Sequence, residues 1–328
     1  MKNYFSFFIL FILVNLAAKA QDEPLFSNYM FLRTITNPSF VGAENTINAT
    51  FCNRTMFAGI EGKPVTSTFG VETPVDLFGK RTGFGIAMMN DKIGYQKVVK
   101  VDFSFAYHQN LKNGTLGLGF SLGFNNYSIE PGTWNEDISG DDDSHTWATS
   151  GDPLIPDKFS GGLDLGIGFG AYYETPLYYI GLSGSNLNRA NISSTKETTT
   201  ETNYLYYDAV YKLSGAYNIE MRDPLFDLRP SFVLRTDLAA YMLDMNATMF
   251  YKKRYWAGFG LRVSPKNIAS FTLLGGTELV NGLNVGYALD VNTSYMIYGG
   301  ATSHEIIITY SFNIDTKRDM KYKSVRYL

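Results

Sequence analysis

GTLGLGFSLGFNNY, residues 114–127, places Leu116, Leu118, Phe120, Leu122 and Phe124 on one side of an extended chain and Gly117, Gly119, Ser121, Gly123 and Asn125 on the other. A β-sandwich strand alternates in the same way, but its outer face meets bulk water and carries long charged side chains. Here the polar side is Gly, Ser and Asn. The pattern recurs in Phe84, Ile86 and Met88, in Val101, Phe103, Phe105 and Tyr107, in Leu163, Leu165, Ile167 and Phe169, and in Leu283, Val285, Tyr287 and Leu289. Their sequence neighbours include Gly83, Gly85, Asp102, Ser104, Asp164, Gly166, Asn284, Gly286 and Asp290. Inside a bilayer every backbone N–H and C=O must be paired within the protein. Strands therefore cross only as a closed barrel, apolar residues toward lipid and small or polar ones toward the lumen. The expected fold is all-β, a transmembrane antiparallel outer-membrane β-barrel.

Candidate strands lie near residues 45–57, 64–73, 82–91, 97–109, 114–127, 160–174, 177–185, 204–219, 227–239, 242–252, 254–264, 267–277, 282–292 and 304–313. That is about fourteen, within a range of twelve to sixteen. Barrels of this kind alternate long outer loops with short periplasmic turns. The two longest connections, 128–159 and 186–203, follow the fifth and seventh strands and so share one side, and Glu174-Thr175-Pro176 between them makes a tight turn on the other. With the amino terminus in the periplasm, both long loops are extracellular.

Composition agrees with a β protein: 23 Tyr, 24 Phe and 31 Gly stand beside a single cysteine. A net charge of -3 argues against a nucleic-acid partner, which would need a basic face. Residues 1–20 read as a signal peptide, with Lys2 before an apolar stretch from Phe5 to Leu16 and small residues at Ala18-Lys19-Ala20. The apolar run is shorter than the ~20 residues a spanning helix requires, so an uncleaved anchor is the alternative. Cys52 lies well inside the mature chain and reads as packing.

Catalytic chemistry is sparse. The histidines are His108, His145 and His304, none with a metal-ligand partner at i+4 or a neighbouring cysteine pair. His304-Glu305 is the one pair to weigh for acid–base work, and its place at the start of a terminal strand favours a structural role. LGLGF and GIGFG fall within strands and not between a strand and a helix, which excludes a phosphate loop. The acidic loop with Glu136, Asp137, Asp141, Asp142, Asp143 and Asp152 lacks the ligand spacing of a calcium site and reads as a solvated loop. No catalytic residue, cofactor or metal is expected, and no enzyme activity.

Short blocks along the chain carry a family resemblance. Tyr29-Met30, Asn37-Pro38 and Val41-Gly42 form the first, and Gly59-Ile60-Glu61-Gly62-Lys63-Pro64-Val65-Thr66 the second. Asn90-Asp91-Lys92-Ile93-Gly94 is the third, and Pro156-Asp157 with Tyr172-Tyr173 and Tyr179-Ile180-Gly181-Leu182-Ser183 the fourth. Gly286-Tyr287-Ala288-Leu289-Asp290 and Ser303-His304-Glu305-Ile306 close the pattern. From Tyr29 to Phe312 the chain resembles PorP/SprF-type outer-membrane proteins of the type IX secretion and gliding machinery. Phe57 stands where such proteins often carry Trp, and Ala288-Leu289 replaces a more polar pair. The resemblance implies a non-enzymatic outer-membrane component that supports secretion or surface anchoring of a partner such as a large adhesin, in contact with the secretion machinery. An outer-membrane channel or hydrophobic-solute transporter is the alternative reading, and a soluble surface adhesin the third.

Residues 28–43, NYMFLRTITNPSFVGA, are too apolar for a surface linker and too broken for a helix. Glycine on the lumen faces of the third, fifth and sixth strands leaves room for Tyr29, Met30, Phe31 and Phe40 inside the barrel or at its mouth. The expected division is a signal peptide at 1–20, a periplasmic or lumenal segment at 21–44, the barrel at 45–313 and a basic periplasmic tail at 314–328. In that tail Lys317, Arg318, Lys321, Lys323 and Arg326 are candidate partner-binding residues, and both chain ends are expected in the periplasm.

Overall fold

The computed structural model describes residues 23–94, 96–129, 159–188, 191–195, 202–206, 208–265, 268–293 and 302–313. Their strands are β1 (Thr46–Thr55), β2 (Val65–Leu77), β3 (Lys80–Ile93), β4 (Gln96–Asn110), β5 (Thr115–Ile129), β6 (Phe159–Glu174), β7 (Tyr178–Ser185), β8 (Asn191–Thr195) and β9 (Thr202–Tyr206). Then follow β10 (Val210–Tyr217), β11 (Ile219–Glu220), β12 (Phe226–Thr236), β13 (Tyr241–Tyr251), β14 (Tyr255–Val263), β15 (Ile268–Val280), β16 (Leu283–Asn292) and β17 (Thr302–Asn313).

Neighbours in sequence pair antiparallel around the wall. The seam between the first and last strands runs from Thr46 opposite Asn313 to Thr55 opposite His304. β10 skips β11 and pairs with β12, from Tyr211 opposite Thr236 to Ala216 opposite Ser231, so the ring is closed. Leaving out the short β11 and the separate β8–β9 hairpin, fourteen strands form the barrel. The eighth barrel strand is shorter than the expected 204–219. Residues 202–206 pair instead with 191–195, since a period-two run serves a hairpin as well as a wall.

The alternation that defines β5 is a wall pattern: Leu118 and Phe120 are exposed outward, while Gly117, Gly119, Gly123 and Asn125 are buried inward. Two ends follow. The turn end, where β1 begins, carries the tight reversals at 78–79, 175–177 and 252–254, and the loop end carries the connections after β5 and β7. The acidic loop at 130–158, the signal segment at 1–20 and the basic tail at 314–328 lie outside the described residues.

The lumen is filled by the chain itself. Residues 26–43 fold into a 3-10 turn at Tyr29–Phe31, a single helical turn α1 at Arg33–Thr36 and a second 3-10 turn at Pro38–Phe40. Asn37 is extended and its side chain accepts from the Ser39 N–H at 3.0 Å, while Pro38 needs no donor at the first position of its turn. Met30 and Leu32 are fully buried, and Tyr29, Phe31 and Phe40 nearly so. They pack against Cys52, Tyr172, Tyr179, Trp256, Leu274 and Ile307 from the wall. A Cβ on Gly83 would collide with Val41 and one on Gly119 with Ser39, so these wall glycines let the plug backbone touch the strands.

Both chain ends, expected in the periplasm, lie outside the described residues, and the first and last described residues sit at different mouths. Lys212, at the loop end of β10, holds Glu23 at 2.6 Å, whereas Asn313 lies opposite Thr46 at the turn end. The reason is that residues 23–44 traverse the lumen from the loop end before β1 starts, which places the two described ends at opposite mouths. Phe120→Arg, on the lipid face of β5, should cost ~2–4 kcal/mol of folding free energy in lipid vesicles, measured by denaturant titration, whereas a cost near zero would reverse the assigned face.

Candidate functional site

The lumen-facing positions of six strands bring six charges together around the head of the plug. Arg54 on β1 and Glu305 on β17 are cross-strand partners, with Arg54 Nη1 donating to Glu305 Oε2 at 2.9 Å. Arg54 Nη2 donates to Asp290 Oδ2 on β16 at 2.5 Å. Arg262 on β14 links Asp290, at 3.4 Å, to Asp244 on β13, at 2.5 Å, and Asp244 in turn accepts from Arg235 on β12 at 2.8 Å. Three guanidinium groups thus face three carboxylates. Arg54 and Asp290 are 1% exposed and Glu305 is 0% exposed, so water does not screen them.

The plug completes this cluster. Glu305 accepts from the backbone N–H groups of Ser27 and Asn28, both at 2.7 Å, and from Asn28 Nδ2 at 2.9 Å. Ser27 Oγ donates to Asp290 at 2.7 Å, and Asn246 Nδ2 donates to the Ser27 carbonyl at 3.0 Å. Ser27 and Asn28 precede the first turn, so their amides have no helical partner and the carboxylate supplies one. The arrangement is a latch: it satisfies buried backbone donors and fixes one register of the plug.

A second set holds the other end. His108 Nε2 sits 2.8 Å from the Val41 carbonyl, and the Tyr172 hydroxyl is 3.1 Å from His108 Nδ1. Phe40 stacks on Tyr172 with centroids 4.3 Å apart, and Arg33 lies over the Phe40 ring. Glu72 accepts from the Gly42 N–H and from Asn48, both at 3.0 Å, where the plug turns into β1 at the left-handed Gly42.

The residues singled out from sequence separate into three places. Tyr29, Met30, Asn37, Pro38 and Gly42 belong to the plug, and Tyr29 bonds Ser231 across the lumen at 3.0 Å. Gly59, Gly62, Pro64, Asn90, Asp91, Lys92 and Gly94 form the loop-end rim, where the Gly62 carbonyl accepts from the Gly94 N–H at 2.9 Å and Asp91 accepts from Thr66 at 2.5 Å. His304 and Glu305, adjacent in sequence, lie on opposite faces of β17. His304 bonds Tyr287 at 2.6 Å and Thr302 at 2.9 Å on the outer side, so the two do not make an acid–base pair. Lys317, Arg318, Lys321, Lys323 and Arg326 lie outside the described residues.

Arg54, Asp244, Arg235 and Arg262 were not picked out from the sequence. The signal was there in part, since each occupies the inward row of its strand, a row otherwise held mostly by small or polar residues. Chemically the cluster is a set of mutually compensating ion pairs, in which Arg54 Nε and Arg235 Nη1 keep no hydrogen-bond partner. Among the described residues no group of three or more His, Cys, Asp or Glu is placed to hold a metal ion.

A closed fourteen-strand barrel with a lipid-facing wall and an internally latched plug is an integral outer-membrane protein. The family model for the type IX secretion system membrane protein PorP/SprF matches residues 18–310, and the chain belongs to that family. Among solved structures it is similar to the monoaromatic hydrocarbon channel CymD, at 11% identity with a TM-score of 0.50, over 90% of this chain and 96% of that one. The Pseudomonas putida toluene transporter TodX (P. putida) is also similar, at 10% identity and a TM-score of 0.42, over 86% of this chain and 93% of that one. These likenesses are of fold alone. No curated protein matches the chain.

Glu305→Ala leaves Arg54 buried beside one remaining carboxylate and strips two plug amides of their acceptor. It should destabilise the barrel by ~3–5 kcal/mol in detergent unfolding, while His304→Ala, on the outer face, should cost no more than ~1 kcal/mol. Equal losses would deny the latch its role.

Proposed function

We propose that this protein is a sealed, non-catalytic platform in the outer membrane that supports delivery or surface anchoring of a secreted partner by the type IX machinery. The observation that carries this reading is the plug. An open water-filled pore would keep its lumen clear, whereas here the lumen's charges hold the chain's own residues 26–43. Membership of the secretion family supports the same reading. The hydrocarbon-channel alternative rests on distant likeness of fold.

In this reading residues 1–20 are a signal peptide, the loop end with 128–159 and 186–203 faces outward, and it meets the partner, a large surface protein of the kind used in adhesion or gliding. The turn end faces the periplasm. There the basic tail at 314–328, with Tyr322 and Tyr327 among its cations, docks an acidic component of the secretion apparatus by charge steering and aromatic anchoring. No residue has a catalytic role.

The test is affinity isolation of the tagged barrel from native envelopes, with secretion-machinery proteins or one large secreted protein as the expected companions. In planar bilayers the purified barrel should show no steady ion conductance. Open-barrel conductance together with an absence of companions would return the channel reading. Deleting Lys317–Leu328 should leave barrel assembly unchanged and lower surface delivery of the partner, and normal delivery would leave the tail without a docking role.

A further inference from the structure

The wall is not of even height. β7 and β10 have eight residues each, against sixteen in the adjoining β6 and eleven in β12. A spanning barrel strand ordinarily has ~9–11. β6 pairs with β7 only between Glu174 and Phe169, so its remaining residues rise above the end of β7. Beyond Ser185 the chain reverses at Asn186, which is left-handed at φ 53, and the Leu187 N–H donates to the Ile167 carbonyl at 2.9 Å. That contact lays the Leu187 side chain over Gly184.

On the outward rows of this low wall, small residues alternate with large ones. Ala171 follows Phe169 on β6, and Gly184 follows Leu182 on β7, while Tyr211 and Leu213 on β10 and Leu234 on β12 stand beside them. The result is an apolar groove of about 570 Å³, open on the lipid side and closed at the loop end by Leu187. Its volume is that of a built ligand site, of order 300–1,000 Å³.

We propose that this groove binds one acyl chain of a bilayer phospholipid. Phe169, Leu182 and Tyr211 are exposed outward, so the groove is continuous with the surface that acyl chains already cover. Tyr211, at its loop-end margin, gives the polar end of the lipid a hydroxyl partner, while the Thr236 hydroxyl beside it already donates to the Ala240 carbonyl. The groove lies where β7 and β10 break before the β8–β9 hairpin, so the dent opens on the lipid face and an acyl chain is what fills it. The site is on the outer surface and does not depend on the secretion reading.

The experiment is native mass spectrometry of the full barrel from detergent micelles doped with palmitoyl-oleoyl-phosphatidylethanolamine. The wild type should retain bound phospholipid. Ala171→Phe and Leu213→Trp, which fill the groove, should lower retention about tenfold, a difference of roughly 1.4 kcal/mol. Ala257→Phe, the same kind of change at an outward position of β14, should leave retention unchanged. Folding of each variant is checked by heat-modifiable gel migration, and if Ala171→Phe does not fold, Leu213→Trp decides. No phospholipid on the wild type, undiminished retention in the filled variants, or equal loss in Ala257→Phe each overturns the proposal.

Discussion

Hydrocarbon offers no partner to a backbone N–H or C=O, and the rest of this structure answers to that fact. A strand that crosses the bilayer must be bonded on both edges, so the sheet closes, from β1 on β17 around to β10 on β12. Closure then sets a lumen whose width grows with strand number. Eight strands leave an interior that side chains fill, and sixteen or more leave an aqueous channel. Fourteen fall between. Side chains alone do not fill such a space, and a second layer of chain inside the wall does.

That layer creates its own polar demand. The segment at 26–43 has too few residues for long helices, so its short turns leave amides unpaired in a dry lumen, at a cost of about 1–3 kcal/mol each. Glu305 meets that demand for the Ser27 and Asn28 amides and Asp290 accepts from the Ser27 hydroxyl, while Arg54 and Arg262 compensate the buried carboxylates in turn. An apolar lining of the same volume would be comparably stable, because desolvating ions offsets much of their attraction. What it would lack is direction. A carboxylate that accepts two successive amides admits one register of the plug, while greasy contacts admit several.

The wall was legible because its chemistry is periodic. Each of the fourteen segments marked by alternation overlaps a barrel strand, including β5, whose Leu118 and Phe120 face lipid. Lengths were less legible, since hydrogen bonds and not hydrophobicity decide where pairing stops. Thus β2 runs on to Leu77 past the expected Thr73, and β10 begins at Val210 after β9 has gone to a hairpin. Of the site, the plug could be read from apolar residues without a surface to cover and from inward glycines such as Gly83 and Gly119. The latch could not. Periodicity assigns Arg54 and Asp290 to the lumen as it assigns Gly286, but cannot say which residues meet across strands that lie far apart in sequence.

The position of the latch connects the plug to closure of the barrel. Arg54 and Glu305 face each other across the seam where the last strand meets the first, 251 residues apart along the chain. Contacts of that separation come late, because the loop-closure entropy of the intervening chain opposes them until other pairings are in place. Ser27 and Asn28 bind to both strands of this seam's charge pair or to its neighbour Asp290, so the plug adds its hydrogen bonds where the ring is entropically hardest to close. The same segment presses Val41 on Gly83 and Ser39 on Gly119 in the opposite part of the wall. A single stretch of the chain therefore ties the locally paired strands β3 and β5 to the long-range seam, and the segment that fills the lumen also favours the one pairing that closes the ring.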